Sequence, residues 1–103
     1  MSEFTAEPHP DDPLVLTIAG ELDLAAVDVF LGRARDAVDG AVLTLDCGGL
    51  TFIDSTGLGA LVRLREEARA HGGDLVLTHV PSQVSRILDI TGLSQIFPGD
   101  SQG

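Results

Sequence analysis

Apolar residues along this chain change period from block to block. Residues 14–19, 42–47 and 75–80 are short apolar runs, each a candidate strand. Between them the apolar positions fall three and four apart. Val27, Phe30, Leu31, Ala34 and Val38 mark one face of a helix over 24–38. Leu58, Leu61, Val62, Leu64 and Ala68 mark a second, with Arg63, Glu66, Glu67 and Arg69 facing outward. Val84, Ile87 and Leu88 mark a third, opened by Pro81 and Ser82 and closed by Gly92. Gly40 and the pair Gly72-Gly73 follow the first two helices as stop signals.

The first apolar run, Leu14-Val15-Leu16-Thr17-Ile18-Ala19, predicts a central strand covered on both faces. Gly20 is expected to end it, with Glu21-Leu22-Asp23 as an acidic loop and Asp23 or a neighbour as a cap for the helix. Gly48-Gly49 is expected to close the second run. Ahead of them, a short edge strand at Phe4 runs into a proline-rich turn over 8–13. Residues 93–97 predict a last short strand, and 98–103 a frayed tail. Strands alternating with helices imply parallel crossovers, while the first two strands are close enough for an antiparallel hairpin. The expected fold is α/β: a small mixed sheet of four to five strands flanked by three to four helices.

Composition narrows what such a fold does. The chain's 103 residues make one expected domain, 1–103, with its core over about 14–97. All six basic residues are Arg, against 16 acidic ones, for a net charge of −10. The lack of Lys excludes a Schiff-base or Walker-A lysine. The acidic balance, with no Tyr or Trp, argues against direct contact with nucleic acid. Cys47 is alone and lies in an apolar run, so a reduced, buried thiol is expected. There is no signal-peptide pattern and no run long enough for membrane insertion, so a cytoplasmic location is expected.

The segment Asp54-Ser55-Thr56-Gly57-Leu58-Gly59 carries the most chemistry. It places a hydroxyl at a helix start, where free N–H groups and the helix dipole favour negative charge. Gly57 and Gly59 leave room for a partner's backbone. Asp and Ser are also the favoured helix caps, the commoner use of such residues. A hydrolase is disfavoured: Ile53 stands where a G-x-S-x-G elbow needs glycine, and His9, His71 and His79 are scattered. Those histidines show no metal-ligand spacing either. No catalytic residue, metal or cofactor is expected. In a parallel sheet Glu21, Asp23 and Asp54 fall on the same edge as Ser55. They are either solvated carboxylates or an acidic rim for a cationic partner.

Gly20-Glu21-Leu22-Asp23, Leu45-Asp46, Phe52-Ile53-Asp54-Ser55-Thr56-Gly57-Leu58-Gly59, Gly72-Gly73 and Thr91-Gly92-Leu93, in this order, resemble the bacterial anti-sigma factor antagonists of the STAS-domain family. The likeness spans about 14–97, and its specific part is the D-S-T-G-L-G block. The resemblance implies the mixed sheet with flanking helices, and a protein that is not an enzyme. It implies that the unphosphorylated form binds an anti-sigma factor serine kinase and releases a sigma factor. It implies phosphorylation on Ser55, reset by a PP2C-type phosphatase. Glu21, Asp23, Asp54, Thr56, Gly57, Leu58 and Gly59 are then the expected partner-binding residues. Three departures stand out: only six residues follow Phe97, where family members often add a helix; the N-terminal turn is richer in proline than the family pattern; and Thr56 is a second hydroxyl beside Ser55. The alternative function is a docking subunit of a membrane transport ATPase complex, using the same surface without phosphorylation; a second rival is a small-molecule sensor with a ligand at the sheet edge.

Overall fold

The computed structural model describes residues 3–37 and 40–97. Its elements run β1 (Phe4–His9), β2 (Asp12–Leu22), α1 (Val27–Ala37), β3 (Val42–Ile53), α2 (Ser55–Ala70), β4 (Asp74–Thr78) and α3 (Ser82–Thr91), followed by a 3-10 turn over Leu93–Gln95. The sheet order is β1-β2-β3-β4. β1 pairs antiparallel with β2, while β2–β3 and β3–β4 are parallel. The expected mixed sheet, hairpin first and crossovers after, is what forms.

Both crossovers step the same way across the sheet, and right-handedness then puts α1 and α2 on one side of it. The strands show the result as a period of two. Leu16 and Ile18, Leu43, Leu45 and Cys47, and Leu75 and Leu77 are buried. Their neighbours Val15, Thr17, Ala19, Thr44, Asp46, Val76 and Thr78 are only half-buried. The reading of 14–19 as covered on both faces is therefore corrected: one face carries the core, and Thr17, Thr44, Asp46 and Thr78 on the other mark it as more polar. Phe30, Leu31 and Ala34 of α1 and Leu58, Leu61 and Leu64 of α2 fill the space above the buried face. Phe4 meets Phe30 edge to face at 6.2 Å, fastening β1 to α1. On the outside, Glu67 of α2 receives both arms of Arg35 of α1 at 2.8 Å. The α3 helix lies beside the far half of β3, where Gln83 Nε2 donates to the Thr51 carbonyl at 2.9 Å.

Several boundaries differ from the sequence reading. Gly20 does not end β2, which continues through Glu21 and Leu22, so these two are strand rather than loop. Gly48-Gly49 does not close β3, which runs on to Ile53. Register shifts between Thr17 and Ala19 and between Gly20 and Glu21 let the two strands stay paired past the glycines. Gly20 sits at φ +94°, and a Cβ there would lie 1.7 Å from the Glu3 carbonyl oxygen, so the position permits a kinked strand only without a side chain. Residues 93–97 do not form a strand: Gly92 at φ +79° turns the chain back on α3, and Leu93–Gln95 make the 3-10 turn. The expected helix-face residue Val38 and the tail over 98–103 lie outside the described residues.

Cys47 is 1% exposed, and its Sγ–H points at the Leu45 carbonyl at 3.6 Å. Burial, with a smaller contribution from the Asp46 charge, pushes the thiol up to about 12. Because the folded thiol holds its proton where the unfolded one, at 9.0, loses it, stability falls as pH climbs between those values. A thiol reagent at pH 8 is expected to leave the native protein unmodified and to label Cys47 fully in denaturant; rapid labelling of the native form would contradict this burial.

Candidate functional site

The site is built where β2 and β3 end side by side. Glu21 is opposite Phe52 and Leu22 opposite Ile53. The Asp54 N–H then donates to the Leu22 carbonyl at 3.4 Å, tying the start of α2 to the end of β2. Thus the Gly20-Glu21-Leu22-Asp23 and Asp54-Ser55-Thr56-Gly57 segments share one edge of the sheet, as the parallel topology predicted.

Asp54 is the N-cap of α2. Its Oδ1 accepts the Gly57 N–H at 3.0 Å and the Thr56 hydroxyl at 2.5 Å. Together these hold the Asp54 carboxyl below the ordinary carboxylate value, the Thr56 bond contributing most. Capping is therefore the work of Asp54. Ser55, the first helical residue, is exposed, and among the described residues no hydrogen bond engages its hydroxyl. It stands at the positive end of a helix that runs on to Ala70.

Around it the expected residues divide. Asp23 Oδ1 accepts the Ala26 N–H at 3.2 Å, closing the turn ahead of α1. Because α1 starts at Val27 rather than at 24, Asp23 closes this turn instead of capping the helix directly. Glu21 is half-buried at the end of β2. Thr56 and Gly59 are exposed, but Gly57 and Leu58 are buried. The expectation that Gly57 admits a partner's backbone is corrected: the backbone that approaches is the chain's own. A Cβ on Gly57 would lie 2.3 Å from the Leu22 carbonyl oxygen and 2.8 Å from Ile53 Cγ1. Leu58 belongs to the core beneath the site.

Two exposed apolar residues at this edge are not among the expected partner-binding residues. Leu24, next to Asp23, is 75% exposed, and Phe52, opposite Glu21, is 46% exposed. Strand alternation signals Phe52: if Ile53 faces the core, its neighbour faces away. The histidines stay apart from Ser55. His9 Nδ1 accepts the Asp11 N–H in the hairpin turn, His71 bonds the Glu67 carbonyl at the end of α2, and His79 lies 3.3 Å from Asp46 beyond β4. No nucleophile–base pair is assembled at Ser55 among the described residues, and no metal-binding group of His, Cys, Asp or Glu occurs among them. None of the described helices is long and apolar enough to cross a membrane.

The sequence matches the STAS domain family over residues 4–102. The chain belongs to the STAS-domain family. Its relatives include the anti-sigma-B factor antagonist of Bacillus subtilis (strain 168), 32% identical over 88 residues, covering 84% of this chain and 81% of that protein. This STAS domain also superposes on an anti-sigma factor antagonist from Mycobacterium paratuberculosis with a TM-score of 0.75 at 22% identity, covering 97% and 86% of the two chains. Unphosphorylated SpoIIAA, an anti-sigma factor antagonist, gives 0.72 at 22% identity over 97% and 90%. Phosphorylated SpoIIAA of Bacillus gives 0.67 at 21% over 97% and 93%.

Two glycines near the start of α2 have opposite expected behaviour. Gly57→Ala forces the helix away from Leu22 and is expected to cost about 1–3 kcal/mol. A Cβ on Gly59 meets nothing within 4 Å, so Gly59→Ala is expected to stabilise the helix by about 0.5–1 kcal/mol. Urea denaturation of both variants measures this; equal effects would contradict the packing. Asp54 also sets a pH dependence. Its folded value lies below the unfolded one, near 3.8, so its contribution is present above that pH and lost as pH falls through the folded value. Asp54→Asn is expected to flatten that part of the acid unfolding curve, while a slope unchanged from wild type would contradict the cap geometry.

Proposed function

We propose that this STAS domain is a phosphorylation-switched anti-sigma factor antagonist. The unphosphorylated form binds an anti-sigma factor that is a serine kinase, and the bound kinase releases its sigma factor. Phosphorylation of Ser55 dissolves the complex, and a PP2C-type phosphatase restores it. The observation that carries this is the exposed Ser55 hydroxyl at the first position of α2, left free because Asp54 does the capping. Kinship with proteins named anti-sigma factor antagonists supports the same reading.

The physical basis is local. Negative charge at a helix start is tolerated by the dipole and by unpaired N–H groups, so a phosphate on Ser55 needs no rearrangement of the fold. This chain shares its fold with SpoIIAA in both the unphosphorylated and the phosphorylated form. The modification takes the net charge from −10 to roughly −12. A partner fitted to the exposed Leu24 and Phe52 and to the carboxylates of Glu21 and Asp23 must then dehydrate a dianion it does not pair. Each ~1.4 kcal/mol of that penalty is a tenfold loss of affinity.

Intact-mass analysis of the protein from its native cells, with mapping of the peptide that carries residues 51–63, tests the proposal. A species heavier by one phosphate on Ser55 is expected in some growth conditions. Ser55→Ala is expected to stay unmodified and to hold the kinase permanently, and Ser55→Asp to bind it more weakly. An unmodified wild-type population in every condition would overturn the switch and favour a docking module of a transport complex.

A further inference from the structure

We infer that Asp54 selects the phosphate acceptor, by holding the neighbouring Thr56 hydroxyl and leaving Ser55 as the hydroxyl that can be esterified. This rests on the proposed phosphorylation of the segment and specifies how one of two adjacent hydroxyls is chosen. Both side chains are exposed at the start of α2, so access alone does not separate them. Their bonding does. Thr56 Oγ1 lies 2.5 Å from Asp54 Oδ1, an oxygen that also accepts the Gly57 N–H at 3.0 Å. At that distance one of the two oxygens must carry a proton, and Asp54, held below the ordinary carboxylate value, is ionised. The proton is therefore the one on Thr56.

Phosphoryl transfer removes that proton. The acceptor oxygen bonds to the γ-phosphorus of a nucleoside triphosphate carried by the kinase, the bond to the nucleoside diphosphate breaks, and the hydroxyl proton leaves to a base or to water. On Ser55 this costs no internal hydrogen bond. On Thr56 it converts a donor into an acceptor-only ester oxygen facing a carboxylate, and sets a dianion beside the cap that starts the helix. Asp54 thus acts as a specificity-determining residue, through charge as well as through its bond.

Chromosomal variants expressed in the native cells test this, with the phosphate located by mapping the peptide that carries residues 51–63. Wild type is expected to carry phosphate on Ser55 alone, and Ser55→Ala to carry none. Asn caps helices about as well as Asp, so Asp54→Asn keeps α2 intact while removing the charge. In the double variant Asp54→Asn, Ser55→Ala, phosphate is expected to appear on Thr56, where Ser55→Ala alone carries none. Phosphate on Thr56 in Ser55→Ala with Asp54 in place would overturn the inference. So would a double variant without phosphate beside a wild type phosphorylated on Ser55, since the choice would then lie in the kinase. A wild type never phosphorylated would overturn the underlying switch and this inference with it. Independently of any kinase, Thr56→Val is expected to move the Asp54 carboxyl titration, followed by NMR, up towards the ordinary range; an unmoved titration would show that the bond is absent and overturn the selection.

Discussion

The acidic edge of this protein depends on how closely the start of α2 approaches the end of β2. The contact is made by main chain: the Asp54 N–H reaches the Leu22 carbonyl, and Gly57 lies where any side chain would strike that same oxygen. Parallel pairing makes the approach possible, since β2 and β3 finish at the same edge. The register shifts near the glycines then bring Leu22 opposite Ile53, so that two motifs distant in sequence form one surface. Gly57 is thus a support for the site. It is buried against the Leu22 carbonyl and Ile53, and so holds the start of α2 close to the end of β2.

That surface was legible in the sequence to an uneven degree. Element types followed from periodicity, because long amphipathic stretches such as the one from Leu58 to Ala68 have few competing readings. Topology followed from chain order and handedness. Strand ends did not, because Gly20 and Gly48-Gly49 are ordinary stop signals that the sheet here absorbs as kinks. Tertiary pairing overrode local propensity. The short apolar stretch at 93–97 failed for a related reason: with Gly92 turning the chain, it packs back onto α3 and has no strand to pair with. At the site, residue types single out Ser55 and the carboxylates as candidates, but not the division of labour among them. Which of Asp54 and Ser55 caps the helix is a matter of side-chain geometry that composition does not encode.

That division gives the segment Asp54-Ser55-Thr56 its character. A serine acting as N-cap would spend its oxygen on a backbone N–H, and modifying it would remove the cap. Here the cap is a neighbouring carboxylate, stabilised in its charged form by Thr56 and Gly57. The helix start is therefore secured independently of Ser55, and chemistry on that hydroxyl leaves the fold's own bonds in place. The same carboxylate makes the neighbourhood acidic, so a structural role and an electrostatic one fall on a single residue.

On the proposed reading, a charge added to an already acidic edge acts on a partner without damaging the protein that bears it. Two unit charges about 6 Å apart repel by about 0.7 kcal/mol in bulk water and by about 3 kcal/mol at an effective dielectric constant near 20. The six Arg residues all belong to the three helices, and three of those on α2 are engaged with Glu67 or Asp74. They leave the edge at Glu21, Asp23 and Asp54 acidic on its own account. In the free protein, water screens a phosphate on Ser55 from these carboxylates. In a complex the partner's surface excludes that water, and each repulsion grows about fourfold at the moment the dianion also loses its hydration. On the proposed reading, then, the energy of the switch is stored in the interface rather than in the fold, which is why an exposed serine on a separately capped helix is suited to carry it.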